Sequence, residues 1–246
     1  MKLLKTTMMS RYLVKFALRI AIFLTIFGIY IFNKQLLLTL ITTPIRYGVT
    51  PLHILWLGFM VMMLYHLFPK EPSTMALLKS RKEKYVPVQG LNELEMYRYL
   101  QNQNYKAWMV MLLWLCFNAI FGLLYAFRVI DEADLYMLTV FYFLCDYICI
   151  LIYCPFQSHI MKNKCCVNCR IYDWGHFMMF TPMLFIRSFY TWSLFFMSCI
   201  VLIKWELKYA RHPKRYWEGS NKNLQCASCK DKTCQIKHKL ARKGKK

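Results

Sequence analysis

The chain has 246 residues, 58% of them hydrophobic and 17% aromatic, with a mean hydropathy of +0.29. Soluble domains run at roughly 45–50% apolar residues, and they spread charge along the outer face of most elements. Here the 18% of residues that are charged cluster between long uncharged stretches, which excludes an ordinary water-soluble fold. The formal net charge of +21 flanks apolar segments, so the expected partners are the lipid bilayer and its anionic headgroups, with no nucleic acid.

A spanning helix needs about 20 mostly apolar residues, because each rises 1.5 Å across a hydrocarbon core roughly 30 Å thick. Residues 13–32 supply the first such run, with Arg19 near its start, where a long side chain can snorkel. The run is too long for a signal-peptide core and lacks a convincing small-residue cleavage site, so a retained span is expected. Residues 49–68 form the second, carrying no Lys, Arg, Asp or Glu; Pro51 falls in its first turn and Pro69 stops it. His53 and His66 lie 13 residues apart on this run. Haem ligation by both would need a matching pair on another span, and only His176 offers a partner, so interfacial histidines bonded to backbone or headgroups are expected and haem is not.

Between residues 69 and 106 lies the largest polar loop before the tail. Asn92-x-x-Glu95 has the form of a capping box, followed by Leu91, Leu94, Tyr97 and Leu100 as one stripe of a short amphipathic helix on the membrane surface. Residues 107–127 and 135–154 are the third and fourth runs, the latter interrupted only by Asp146. A fifth run, 175–203, contains Thr181-Pro182 and Arg187-Ser188; it is long for one crossing and short for two, and reads as spanning or re-entrant. Residues 1–203 are thus a membrane domain and 204–246 a basic, cysteine-containing tail. The fold class is all-α, a polytopic helical membrane protein with four to five spans plus the loop helix.

Lys and Arg in short loops set orientation. The first fifteen residues carry four, the loop after the second run seven, the loop after the fourth three, and the tail from Lys204 fourteen. The loops after the first and third runs carry two and one. Length favours a single crossing by 175–203, but charge favours a return, which would put 28 positive residues on one side and three on the other. The expectation is a multi-pass protein of the cell membrane with its N-terminus and tail cytoplasmic.

Of eleven cysteines, Cys116, Cys145, Cys149, Cys154 and Cys199 fall in or at the ends of apolar runs, where cysteine usually behaves as a small hydrophobe. The other six form two polar clusters, Cys165-Cys166-Val-Asn-Cys169 and Cys226-Ala-Ser-Cys229-Lys-Asp-Lys-Thr-Cys234. Two residues between cysteines let both thiolates reach one ion, and two such pairs complete a Cys₄ site for zinc or an iron–sulfur centre. Lys164, Arg170, Lys230 and Lys232 would offset its charge. The spacing lacks the tight ferredoxin pattern, which favours structural zinc, and the 56 residues between the clusters exceed a usual zinc-ribbon gap. The same clusters also fit a membrane thiol–disulfide oxidoreductase, or, near the bilayer, lipid-modified cysteines.

Asp146, the one carboxylate deep in a run, must stay protonated or find a cation. Arg187 is the expected partner, and the two would serve packing or the path of a transporter or channel. Asp173 and His176, in the stretch that joins the first cysteine cluster to the broken run, are expected to orient a cofactor or a lipid headgroup. No G-x-S-x-G, H-E-x-x-H, Walker A or G-x-G-x-x-G sequence is present, so enzymatic activity is left open.

Overall fold

A computed structural model describes residues 7–44, 48–68, 82–163, 165, 168–229, 234 and 237. The protein is all-α, and four of its helices are long and apolar enough to cross a membrane. No β-strand occurs among the described residues.

Helix α1 (Thr7–Phe32) runs into α2 (Lys34–Thr42) through Asn33, which leaves helical geometry and accepts a bond from Leu36 N–H. Helix α3 (Pro51–Leu67) opens with the proline in its first turn, as expected. At 17 residues it is apolar but shorter than the other four. Its N-cap is Thr50, and His53 completes the capping box: its Nδ1 accepts from the Thr50 backbone at 3.2 Å while Nε2 meets the Tyr190 hydroxyl at 2.7 Å.

Helix α4 (Glu93–Ala126) corrects the reading of the polar loop. The expected surface helix and third span are one continuous helix of 34 residues, begun by Asn92, whose side chain accepts from Leu94 and Glu95. Leu94 and Tyr97 of the expected stripe stay exposed; the buried face runs through Met96, Gln103, Ala107, Val110, Trp114, Asn118 and Gly122. Nothing between Asn92 and Phe127 breaks the backbone ladder, since this stretch holds no proline and its single glycine packs against Phe185.

Helix α5 (Glu132–Leu151) starts at Asp131, whose side chain takes the Ala133 and Asp134 N–H groups. Lys34 bridges to Asp131 and Asp134 at 3.0 and 2.6 Å, tying the α4–α5 loop to the start of α2. After Pro155 the chain forms a π-turn over Phe156–Met161. It then re-enters the bundle by a 3₁₀ turn (Arg170–Trp174), helix α6 (Gly175–Phe180) and a second 3₁₀ turn (Thr181–Phe185). The break comes at residues 186–188, where Ser188 caps helix α7 (Phe189–Arg211).

The broken run is therefore two passages, a short one that ends near 185 and α7 returning. Side-chain pairs show the directions. Arg19 meets Asp146 and Tyr30 meets Asp134, so α1 and α5 are antiparallel. Trp56 meets Ser193 and the Lys204 ammonium lies over Phe68, so α3 and α7 are parallel. Trp114 bonds Thr181 at 3.1 Å and Gly122 abuts Phe185, so the short passage runs alongside α4 in the same direction.

One end of the bundle consequently gathers the start of α1, the end of α3, the start of α4, the loop after α5 and the end of α7. The tail folds over that end. Lys222 N–H donates to Val86 O at 2.9 Å, Val88 N–H to Ser220 O at 3.2 Å, and Asn168 Nδ2 to Leu224 O at 3.3 Å. Two clusters of buried side chains fill the interior. One is built around Trp174, Trp205, Tyr209 and Tyr216 at the tail end, the other around Phe177, Phe180, Trp114 and Met63. Outward positions such as Val14, Leu18, Leu57, Leu112, Ile120 and Phe196 are apolar and exposed, a surface that water penalises and hydrocarbon does not.

Candidate functional site

The tail end of the bundle holds two constellations, one of buried charge and one of thiols. The first is built by α1, α3, α5 and the short passage. Arg19 Nη1 donates to Asp146 Oδ2 at 2.8 Å and to Phe143 O at 2.5 Å, and its guanidinium lies 4.0 Å from the ring centres of both Phe143 and Tyr147. This corrects the expected Asp146–Arg187 pair. Arg187 sits in the break before α7, exposed, and its charge acts on Tyr125 near the acidic loop at the opposite end. The reversal at 186–188 carries Arg187 away, while antiparallel α1 puts Arg19 level with Asp146. Matching depths in the two runs was the available signal: both residues lie about two turns from the same end of the bundle.

Gly175 follows from this pair. A Cβ there would come within 2.6 Å of Asp146 Oδ1, so glycine lets the chain re-enter past the carboxylate without displacing it. Immediately before it, Asp173 Oδ2 meets His66 Nε2 at 2.8 Å, with both side chains under 10% exposed. The His176 ring packs on the His66 ring at 5.2 Å between centres. The structure thus brings Asp173 and His176 together, as the sequence suggested, and adds His66, which had been read as an interfacial residue. Around them Tyr12 and Tyr172 share a hydroxyl bond of 3.0 Å, Trp174 Nε1 donates to Glu206 at 2.8 Å, and Arg170 pairs with Glu206. Buried carboxylates, imidazoles and cations in mutual contact hold passages from α1, α3, α5 and α7 at one level.

The second constellation is cysteine. Cys165 and Cys229 are half-buried and Cys226 is exposed, while Cys169 is buried among Ile171, Trp174 and Leu224. Cys166, with Lys164, Lys230 and Lys232, lies outside the described residues. The thiol of Cys234 is pushed above its ordinary pKa by burial first, and then by the neighbouring Cys165, Cys229 and Cys226. Thiols from loop and tail, far apart in sequence, therefore lie within electrostatic reach of one another. Among the described residues no group of three or more His, Cys, Asp or Glu is gathered tightly enough to hold a metal ion.

These features define an all-α protein with four helices able to cross a membrane and a polar, thiol-bearing cap at one end. The chain matches no known protein family, no curated protein and no solved structure.

Proposed function

We propose that this chain is a multi-pass membrane protein whose basic tail is clasped to the membrane domain by a thiolate centre, with zinc as the metal and a structural role. The observation that supports this reading is that Cys165, Cys226 and Cys229 all lie within electrostatic reach of Cys234. Cys234, whose thiol is held in the neutral form by burial and its three neighbours, belongs to a donor set that a divalent cation relieves, since the metal binds the thiolate form. Cys165, Cys226, Cys229 and Cys234 would draw together to hold it. Cys169 drops out of the proposed set because its side chain is spent on the core.

Zinc supplies no redox chemistry; it would fix the tail where Asn168, Val86 and Val88 already hold the chain. Detergent-purified protein should contain about one zinc per chain. The paired change Cys226→Ser with Cys229→Ser should remove the metal and open the tail to limited proteolysis. Iron with acid-labile sulfide would replace zinc by a cluster, and metal-free wild-type protein would overturn the centre.

The charge distribution supports a cytoplasmic tail end, where Lys and Arg would meet anionic headgroups. A reporter fused after Lys246 should be active on the cytoplasmic side of the cell membrane. Activity on the other side would reverse the orientation. The transporter alternative is the weaker one, because its two intended charges, Asp146 and Arg187, sit at opposite ends of the bundle.

A further inference from the structure

We propose that Cys154 accepts a long-chain acyl group from an acyl thioester and that the chain lodges in the apolar cavity beside it. Cys154 lies just past the end of α5, and its sulfur lines a cavity of about 420 Å³, a ligand-sized volume. Trp114, Phe117, Phe141, Ile148, Phe156 and Met178 supply apolar walls, and the cavity is open on one side. A wall of this kind suits hydrocarbon; it offers almost nothing for a polar ligand to bond.

The polar groups that do occur converge on the sulfur. Gln157 N–H donates to Cys154 Sγ at 3.4 Å, and the Cys149 thiol hydrogen-bonds the same atom. The Lys237 ammonium reaches in from the tail, donating to Gln157 Oε1 at 2.9 Å and to Cys149 O, close enough for its charge to act on Cys154. Donors and a cation around one sulfur favour its thiolate, the nucleophilic form. Cys145 and Cys149 line the same cavity, but Cys149 acts as a donor to Cys154, and Cys145 neighbours the Asp146 carboxylate instead of a cation.

In the step, the Cys154 thiolate attacks the acyl carbonyl of the donor thioester. The new C–S bond forms, the donor's C–S bond breaks, and the donor leaves as a thiolate. The proton that Cys154 gave up to water is balanced by the one the leaving thiolate takes from it, and no redox change occurs. The acyl chain follows its carbonyl into the cavity, where each methylene leaves water for an apolar wall.

The test uses full-length protein in detergent with an alkynyl long-chain acyl-CoA. Hydroxylamine-sensitive label should map by peptide mass spectrometry to Cys154 in the wild type, and Cys154→Ser should lose it while Cys145→Ser keeps it. Met178→Trp, which fills the cavity, should shift the preference towards shorter chains. Mapping on the wild type keeps the result readable even if Cys154→Ser elutes as misfolded protein. Label elsewhere, no label, or a Cys149–Cys154 disulfide in unreduced protein would each overturn the proposal.

Discussion

Arg19→Gln is expected to destabilise the protein by about 2–4 kcal/mol, far more than Arg187→Gln, which should stay within about 0.5 kcal/mol. Arg19 neutralises the one carboxylate deep in α5, and both side chains are largely buried, 14% and 28% exposed. Removing one partner leaves Asp146 either charged in an apolar setting or forced to protonate, and full burial of such an orphan costs roughly 3–5 kcal/mol. Partial exposure of Asp146 reduces that figure. Arg19 is also wedged between the Phe143 and Tyr147 rings, so the change loses packing as well as charge.

The double variant Arg19→Gln with Asp146→Asn replaces the ion pair by a neutral one and should recover part of the loss. Unfolding in mixed micelles with increasing sodium dodecyl sulfate measures all four proteins. Arg187→Gln matching Arg19→Gln in effect would show that the helix directions described above are wrong.

His66→Ala is the second large effect, about 2–4 kcal/mol by the same reasoning, because Asp173 is only 6% exposed and loses the imidazole it bonds. Asp173→Asn should be milder, roughly 1–2 kcal/mol, since an amide can still bond His66 Nε2. His176→Ala removes a ring from the His66 stack but no hydrogen bond seen at its own nitrogens, and should fall between the surface range and Asp173→Asn. The order His66→Ala, then Asp173→Asn, then His176→Ala is checked in the same unfolding assay. Equal losses for all three would mean that ring packing, not the buried carboxylate, dominates. Because Asp173 precedes Gly175 at the point of re-entry, His66→Ala should also increase hydrogen exchange at residues 170–175.

Much of this architecture was legible in the chain. The four long apolar helices all overlap expected runs, and α5 matches within three residues at each end, whereas α1 begins at Thr7, α4 extends back to Glu93 and α7 covers Phe189–Arg211 where 175–203 was expected. Asn92 and Asp131 are short polar side chains ahead of long helical runs, and each caps its helix as such residues do. The excess of Lys and Arg in alternate loops anticipated that loop and tail share one end. Their charge must avoid hydrocarbon whatever the helices do in detail.

The partnering of charges was not legible. Arg19 was read as snorkelling, and Asp146 was matched to Arg187 because the two occupy mid-segment positions in neighbouring runs. Choosing between them needs the chain directions, which turn on the reversal at 186–188. His66 was likewise placed at an interface, where only the re-entry of Asp173 puts a buried carboxylate beside it.

Composition and hydrophobic run length decided that this protein has helices long and apolar enough to cross a membrane, because length and apolarity belong to each segment separately and need no knowledge of neighbours. The folded arrangement alone decided which passage meets which, and so the Arg19–Asp146 pair, the His66–Asp173 pair and the gathering of thiols at one end. Those contacts join residues more than 50 positions apart, and local periodicity carries no record of such distances.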